Sequence, residues 1–163
     1  MIDALKKISS PSVANAIETF NVRPRNQGNM SSEIRTLFPE LGPLVGHAVT
    51  AVIRAEPQPL EGHRASTFGW WDYVLSIPAP RVIVVHDLDE PRGQGAQWGE
   101  VQANIHKALG CAGVITDGSV RDLDEVRALG FQFAAAHISV CQSPNFTADA
   151  LKQLYKQIRP GTY

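Results

Sequence analysis

Gly113-Val-Ile-Thr-Asp-Gly-Ser-Val-Arg-Asp122 is the stretch on which the fold turns. Its opening Gly-Val-Ile-Thr is strand chemistry. Asp117-Gly118-Ser119 reads as a turn, and Asp122 stands where a helix would open. A strand that hands over to a helix through a polar turn is the repeating unit of an α/β sheet. In open α/β sheets, ligands gather at the carboxyl ends of the strands. An arginine at that edge can fork onto a carboxylate, and an aspartate can hold a hard divalent cation through oxygen. A plainer reading stands beside this one: Asp122 and Glu125 have capping-box spacing.

Upstream, twenty residues separate Glu100 from Arg121. Trp98, Val101, Ile105, Ala108 and Leu109 recur at helical spacing, which predicts a helix over 98–110 with that stripe buried. The N–H groups of Glu100, Val101 and Gln102 would leave its amino end unpaired, an anion-seeking arrangement. Gly99 permits close backbone approach there. If the helix leads into the strand at Gly113, its amino end and the Arg121-Asp122 corner share one sheet edge.

The second half alternates: strand 81–86, helix 98–110, strand 113–116, helix 122–129, strand 131–136, helix 147–158. This pattern predicts an α/β fold with a partly parallel sheet. In the first half, Ser10-Pro11 starts a helix with Val13, Ala16, Ile17 and Phe20 on one stripe. Asn21 to Pro43 is a long irregular segment, 46–54 a strand, Glu56-Pro-Gln-Pro-Leu60 a linker, and 65–77 a helix. Adjacent Trp70 and Trp71 cannot share one buried stripe, which leaves one of them free for a neighbouring subunit.

At 163 residues the chain suits a single domain, and 44% hydrophobic content gives it material for a core. A net charge of −1 with scattered basic residues argues against nucleic acid as a partner. Met1-Ile-Asp-Ala-Leu-Lys-Lys lacks the apolar core of a secretion signal, and no apolar run reaches the length of a membrane span. Cys111 and Cys141 lie far apart in no metal pattern, so buried, reduced thiols of a cytoplasmic protein are expected. Gly93-Gln-Gly95-Ala-Gln-Trp-Gly99 mimics a dinucleotide loop, but its glycines do not directly follow the first strand. It is read instead as a loop shaping the mouth of a site. His47 and His137 read as satisfied core residues, whereas His86-Asp87 ends a strand beside the site and is a candidate to assist substrate binding.

Taken together, Gly99-Glu100 and the Gly113–Asp122 stretch resemble the RraA-like family, which holds class II 4-hydroxy-4-methyl-2-oxoglutarate aldolases and the regulator of ribonuclease activity. The aldolase branch carries an acidic residue, twenty residues, then Arg-Asp; here Glu100 stands where Asp is usual. Ser12–Ile17, Leu44–Thr50 and Arg81–Asp87 also resemble family segments. The resemblance covers 1–143 of one domain, 1–163, with 144–163 divergent. It implies a layered β/β/α swivelling-domain sandwich. It also implies a lyase acting on 2-oxo acids, with oxaloacetate decarboxylation as a related activity.

The resemblance further assigns roles. Backbone groups of Gly99, Glu100, Val101 and Gln102 would hold the pyruvoyl end, with Glu100 and Arg121 catalytic. Arg121 would bind the carboxylate or carbonyl oxygen, and Asp122 would ligate Mg²⁺ or Mn²⁺. Homo-oligomers, trimers or hexamers, are implied as well. Family members carry a further Pro-Gly-Asp segment where this chain has 147–158 and Pro-Gly-Thr-Tyr163, so the resemblance is to a shortened domain. Asn15 stands where Asp is usual. The other function the family holds is that of a non-catalytic, protein-binding ribonuclease regulator.

Overall fold

The computed structural model describes residues 1–54, 67–140 and 159–160. The linker expected at 56–60, the helix at 147–158 and Cys141 lie outside the described residues. Helices α1 (Ile2–Leu5) and α2 (Ser10–Glu18) come first, with the Ser9 hydroxyl accepting from the Ser12 N–H and Pro11 in the first turn of α2. The 21–43 segment is irregular apart from β1 (Arg35–Thr36) and one 3₁₀ turn (Pro39–Leu41).

From there strand and helix alternate as expected. The elements are β2 (His47–Ile53), α3 (Thr67–Ser76), β3 (Arg81–Asp87), α4 (Glu100–Ala108), β4 (Cys111–Val120), α5 (Leu123–Leu129) and β5 (Gln132–Ile138). A two-residue β6 (Arg159–Pro160) closes the order β1-β5-β4-β3-β2-β6. β2 to β5 run parallel, and the two short edge strands are antiparallel to their neighbours. The fold is therefore α/β with a mixed, mostly parallel sheet. All the strands among the described residues belong to this one sheet. No helix among them is long and apolar enough to cross a membrane.

One face of the sheet carries the core. Val49, Ala51, Ile53, Ile83, Val85, Val114, Phe133 and Ala135 meet Trp70 and Val74 of α3, Ala103 of α4 and Val126 of α5. Alternate positions, including Val52, Val84, His86 and Asp117, are half-buried, the period of two expected of a pleated sheet. Trp70 is buried and Trp71 half-buried, as adjacent helical positions require. The Arg81 guanidinium donates to the carbonyls of Leu75, Ile77 and Leu109, where α3 and α4 end. Its positive charge suits those two carboxyl termini.

Three expectations are overturned. Asp117-Gly118-Ser119 is not a turn: β4 runs through it to Val120, with its register against β5 shifting between Thr116 and Ser119. A bulge absorbs the glycine, and Thr116 Oγ1 accepts the Gly118 N–H. The buried face of α4 is also different. Gln102, Ala103 and His106 point inward, while Val101 is exposed and Ile105 half-buried. His106 takes the inner face because a partner for each ring nitrogen waits there. Trp70 Nε1 donates to His106 Nε2 at 2.8 Å, and His106 Nδ1 donates to the Gln102 carbonyl at 2.8 Å. Finally, His47 and His137 are exposed at strand ends, and His106 is the buried histidine. Cys111 is buried, and burial pushes its thiol up to about 11.

Candidate active site at the carboxyl edge of the sheet

β3, β4 and β5 all end on one edge, and the 88–99 strap crosses it from β3 to α4. Its start is fixed by two aspartates. Asp87, almost fully buried, accepts the N–H groups of Asp89 and Gly93, each at 2.9 Å. Burial raises its pKa in spite of those two bonds. Asp117 accepts the Asp87 N–H at 2.7 Å and the His86 Nδ1–H at 2.6 Å, with Arg92 Nη1 at 3.5 Å. Ser119 Oγ donates to the Gly93 carbonyl. At the far end Trp98 bridges Val120, and the Arg121 N–H donates to the Trp98 carbonyl at 2.8 Å.

This strap brings Gly99 and Glu100 against Arg121 and Asp122. The Asp122 carboxylate accepts the Glu100 N–H at 3.0 Å through Oδ2, so it sits at the amino end of α4. Asp122 precedes α5 yet makes no side-chain cap there, and its backbone is left-handed at φ 55° and ψ 47°. The capping-box alternative is thereby set aside: Asp122 spends its carboxylate on α4, at a backbone cost of about 1–2 kcal/mol. Gly99 is required by the same contact. A Cβ there would overlap Asp122 Oδ2 and come within 2.9 Å of Arg121 Cγ.

The anion-seeking amino end is thus partly occupied by the chain's own carboxylate. Glu100 contributes its N–H while its side chain lies exposed. Among the described residues nothing accepts the N–H groups of Val101 or Gln102, which remain available to a ligand. Arg121 Nε is buried with no hydrogen-bond partner among the described residues, since Asp122 Oδ2 at 3.7 Å is within ion-pair range but too far for a hydrogen bond. Both ends of the Gln97 amide, in a residue only 4% exposed, and Trp98 Nε1 also lack hydrogen-bond partners among the described residues. Buried polar atoms seldom go unpaired, and such orphans call for an explanation.

No group of three or more His, Cys, Asp or Glu that could hold a metal forms among the described residues. Asp122 by itself still fits a hard cation. Its Oδ2 is anchored, no described residue donates to Oδ1, and the side chain is 36% exposed. Mg²⁺ commonly keeps several waters and takes one or two carboxylates. The sequence missed Gln97, whose place between Ala96 and Trp98 carries no signal. It also missed the way Asp87, Asp117 and Ser119 tie down the strap.

A family model described as RraA-like, Aldolase/RraA, matches residues 10–159. No curated protein matches the chain. Among solved structures, an uncharacterized protein from Pseudomonas syringae pv. tomato str. DC3000 aligns with a TM-score of 0.61 at 18% identity, over 88% of this chain and 59% of that one. Streptomyces coelicolor RraAS2, described as an unusual member of the RNase ES inhibitor RraA protein family, gives 0.62 at 20% identity, over 89% and 67%. RraA from Thermus thermophilis, described as an RNA-processing inhibitor, gives 0.57 at 15%, over 83% and 71%. At these identities the likeness is one of fold. The chain spans 59% of the first of these structures.

Proposed function

The chain belongs to the RraA-like (Aldolase/RraA) family, and from that premise we propose that it is a divalent-metal-dependent lyase. Its substrates are 2-oxo acids of the 4-hydroxy-4-methyl-2-oxoglutarate kind, cleaved to pyruvate, with oxaloacetate decarboxylation as a second activity through the same enolate. The observation that carries the reading is the buried, unpartnered Nε of Arg121 beside the Asp122 carboxylate at the mouth of α4. An anionic, planar ligand supplies what that guanidinium lacks.

Asp122 would hold Mg²⁺ or Mn²⁺, whose chemistry when bound is to neutralise charge developing on an enolate oxygen. The chain's own groups do the rest. Arg121 forks onto the ligand's carboxylate, and the free N–H groups of Val101 and Gln102 present the positive end of α4 to it. Gly99 lets the backbone approach, and the strap fixes the Glu100 N–H against Asp122. Preorganised donors of this kind favour the more charged enolate over the substrate. We further propose that the protein works as a homo-oligomer, a trimer or hexamer.

Pyruvate release from 4-hydroxy-4-methyl-2-oxoglutarate and from oxaloacetate, measured with Mg²⁺ and then with EDTA, tests the reading. Turnover that EDTA abolishes is the expected result. A folded sample with no turnover on either compound would overturn it and leave the non-catalytic, protein-binding role.

A further inference from the structure

His86 and Asp117 form a pair that the proposed site does not use. The imidazole Nδ1 lies 2.6 Å from Asp117 Oδ2, while Asp117 Oδ1 is taken by the Asp87 N–H and Arg92 Nη1 stands at 3.5 Å. The carboxylate also accepts the Asp87 N–H, and paired with it as an acceptor the imidazole carries its hydrogen at Nδ1. Nε2 is left with its lone pair. No described residue bonds to it, and the side chain is 37% exposed. An imidazole whose tautomer is set by a carboxylate, with the other nitrogen free, is equipped to carry a proton. His106 shows the opposite case, with both ring nitrogens consumed inside the core.

Place supports the same role. His86 lies near the carboxyl end of β3, next to β4. Asp117 precedes Arg121 by four residues of chain, at most about 13 Å. Among the described side chains, the charged groups near the imidazole are Asp87 on β3, Asp117 on β4 and Arg92 on the strap; β2 sets uncharged Val52 opposite it.

We propose that His86, oriented by Asp117, is the proton-carrying catalytic residue of the cleavage, an inference that rests on the lyase reading above. Nε2 takes the proton of the 4-hydroxyl. The C3–C4 bond breaks, the C4–O bond becomes a carbonyl, and the electron pair passes into the enolate of the leaving pyruvate. The imidazolium then returns the proton to C3, which becomes the methyl group. The proton lost from oxygen ends on carbon, and no oxidant or reductant is needed.

Two measurements with Mg²⁺ test it: turnover of 4-hydroxy-4-methyl-2-oxoglutarate across pH, and exchange of pyruvate methyl protons for deuterium by NMR. Against an active wild type, His86→Gln is expected to lose about a hundredfold or more in both. The acid limb of its kcat–pH profile should disappear, and added imidazole should restore part of the rate to His86→Ala. Asp117→Asn, which positions rather than reacts, should lose less and displace that limb. Wild-type rates in His86→Gln, or a lower rate with the limb unchanged, would overturn the proposal and leave the lyase reading standing. A wild type that neither turns over nor exchanges brings down both.

Discussion

The two ends of α4 are built on opposite rules. At its inner face Trp70, His106 and the Gln102 carbonyl form a chain in which every buried polar atom has a partner. The Trp98 ring lies tilted against that same imidazole, with centroids 4.7 Å apart. At the amino end, a few residues away, the Gln97 amide, Trp98 Nε1 and Arg121 Nε are buried and have no hydrogen-bond partner among the described residues. Asp122 meanwhile holds a left-handed backbone in order to reach Glu100. A satisfied buried network stabilises and specifies a core. Unsatisfied, strained groups persist where something else completes them. Stability should therefore reside at one end of the helix and activity at the other.

The sharpest way to break this division is Arg121→Lys. An ammonium cannot make the paired contact of a guanidinium, so kcat/KM for pyruvate release should fall about 10²–10³-fold, the scale for losing one charge-stabilising donor. The melting temperature should hardly move, because the Nε has no hydrogen bond to lose among the described residues and lysine keeps the charge beside Asp122. A destabilised but active variant would reverse the assignment. Next comes Gly99→Ala. The methyl would displace the Asp122 carboxylate, and a misplacement of about 1 Å costs roughly a hundredfold in rate. Its steady-state kinetics should show that loss with the fold retained.

His106 probes the other end. Burial lowers its pKa to about 4, against 6.5 when exposed. Between those values the unfolded chain binds a proton that the folded one refuses. The stability tied to neutral His106 is therefore complete above about pH 6.5 and drains as pH falls toward 4, by at most roughly 3 kcal/mol. Asp87 acts in the opposite sense. Its raised pKa makes the folded state take up a proton first, so acid relieves a penalty there. His106→Leu should flatten the histidine part of the profile in urea titrations at pH 7 and pH 5. It should also cost about 1–3 kcal/mol at pH 7, because Trp70 Nε1 loses its acceptor.

How much of this was legible in the chain follows from where each cause lies. The alternation from β3 to β5 is local, and Arg121-Asp122 falls at a strand end that local propensity already marks. The inner face of α4 is not local. His106 turns inward where Trp70, over thirty residues earlier, supplies a donor, whereas Val101 and Ile105 fit the core by period alone. Asp117-Gly118 has turn composition, yet β4 passes through it. Its side-chain bonds to β3 belong to the neighbouring strand, and the bulge takes up the misfit. The placement of Asp122 is likewise a contact across twenty-two residues, so its local spacing to Glu125 suggested a cap that does not form.

Gln97→Leu should have the smallest effect and gives the finest test of the division. The amide is buried with no described residue bonded to either end, so an apolar side chain of similar volume removes two desolvated groups and leaves none of those residues stranded. Stability should hold or rise by up to about 1 kcal/mol, read as a urea midpoint shift at constant m. If the amide instead meets the ligand, KM for oxaloacetate should rise severalfold while kcat stays within a factor of two, since a contact made alike in ground and transition states affects binding alone. A loss of stability, with KM unchanged, would show that Gln97 has a partner within the assembled protein. The amino end of α4 would then be structural at that position, and the contrast between the two ends would narrow to Arg121 and Asp122.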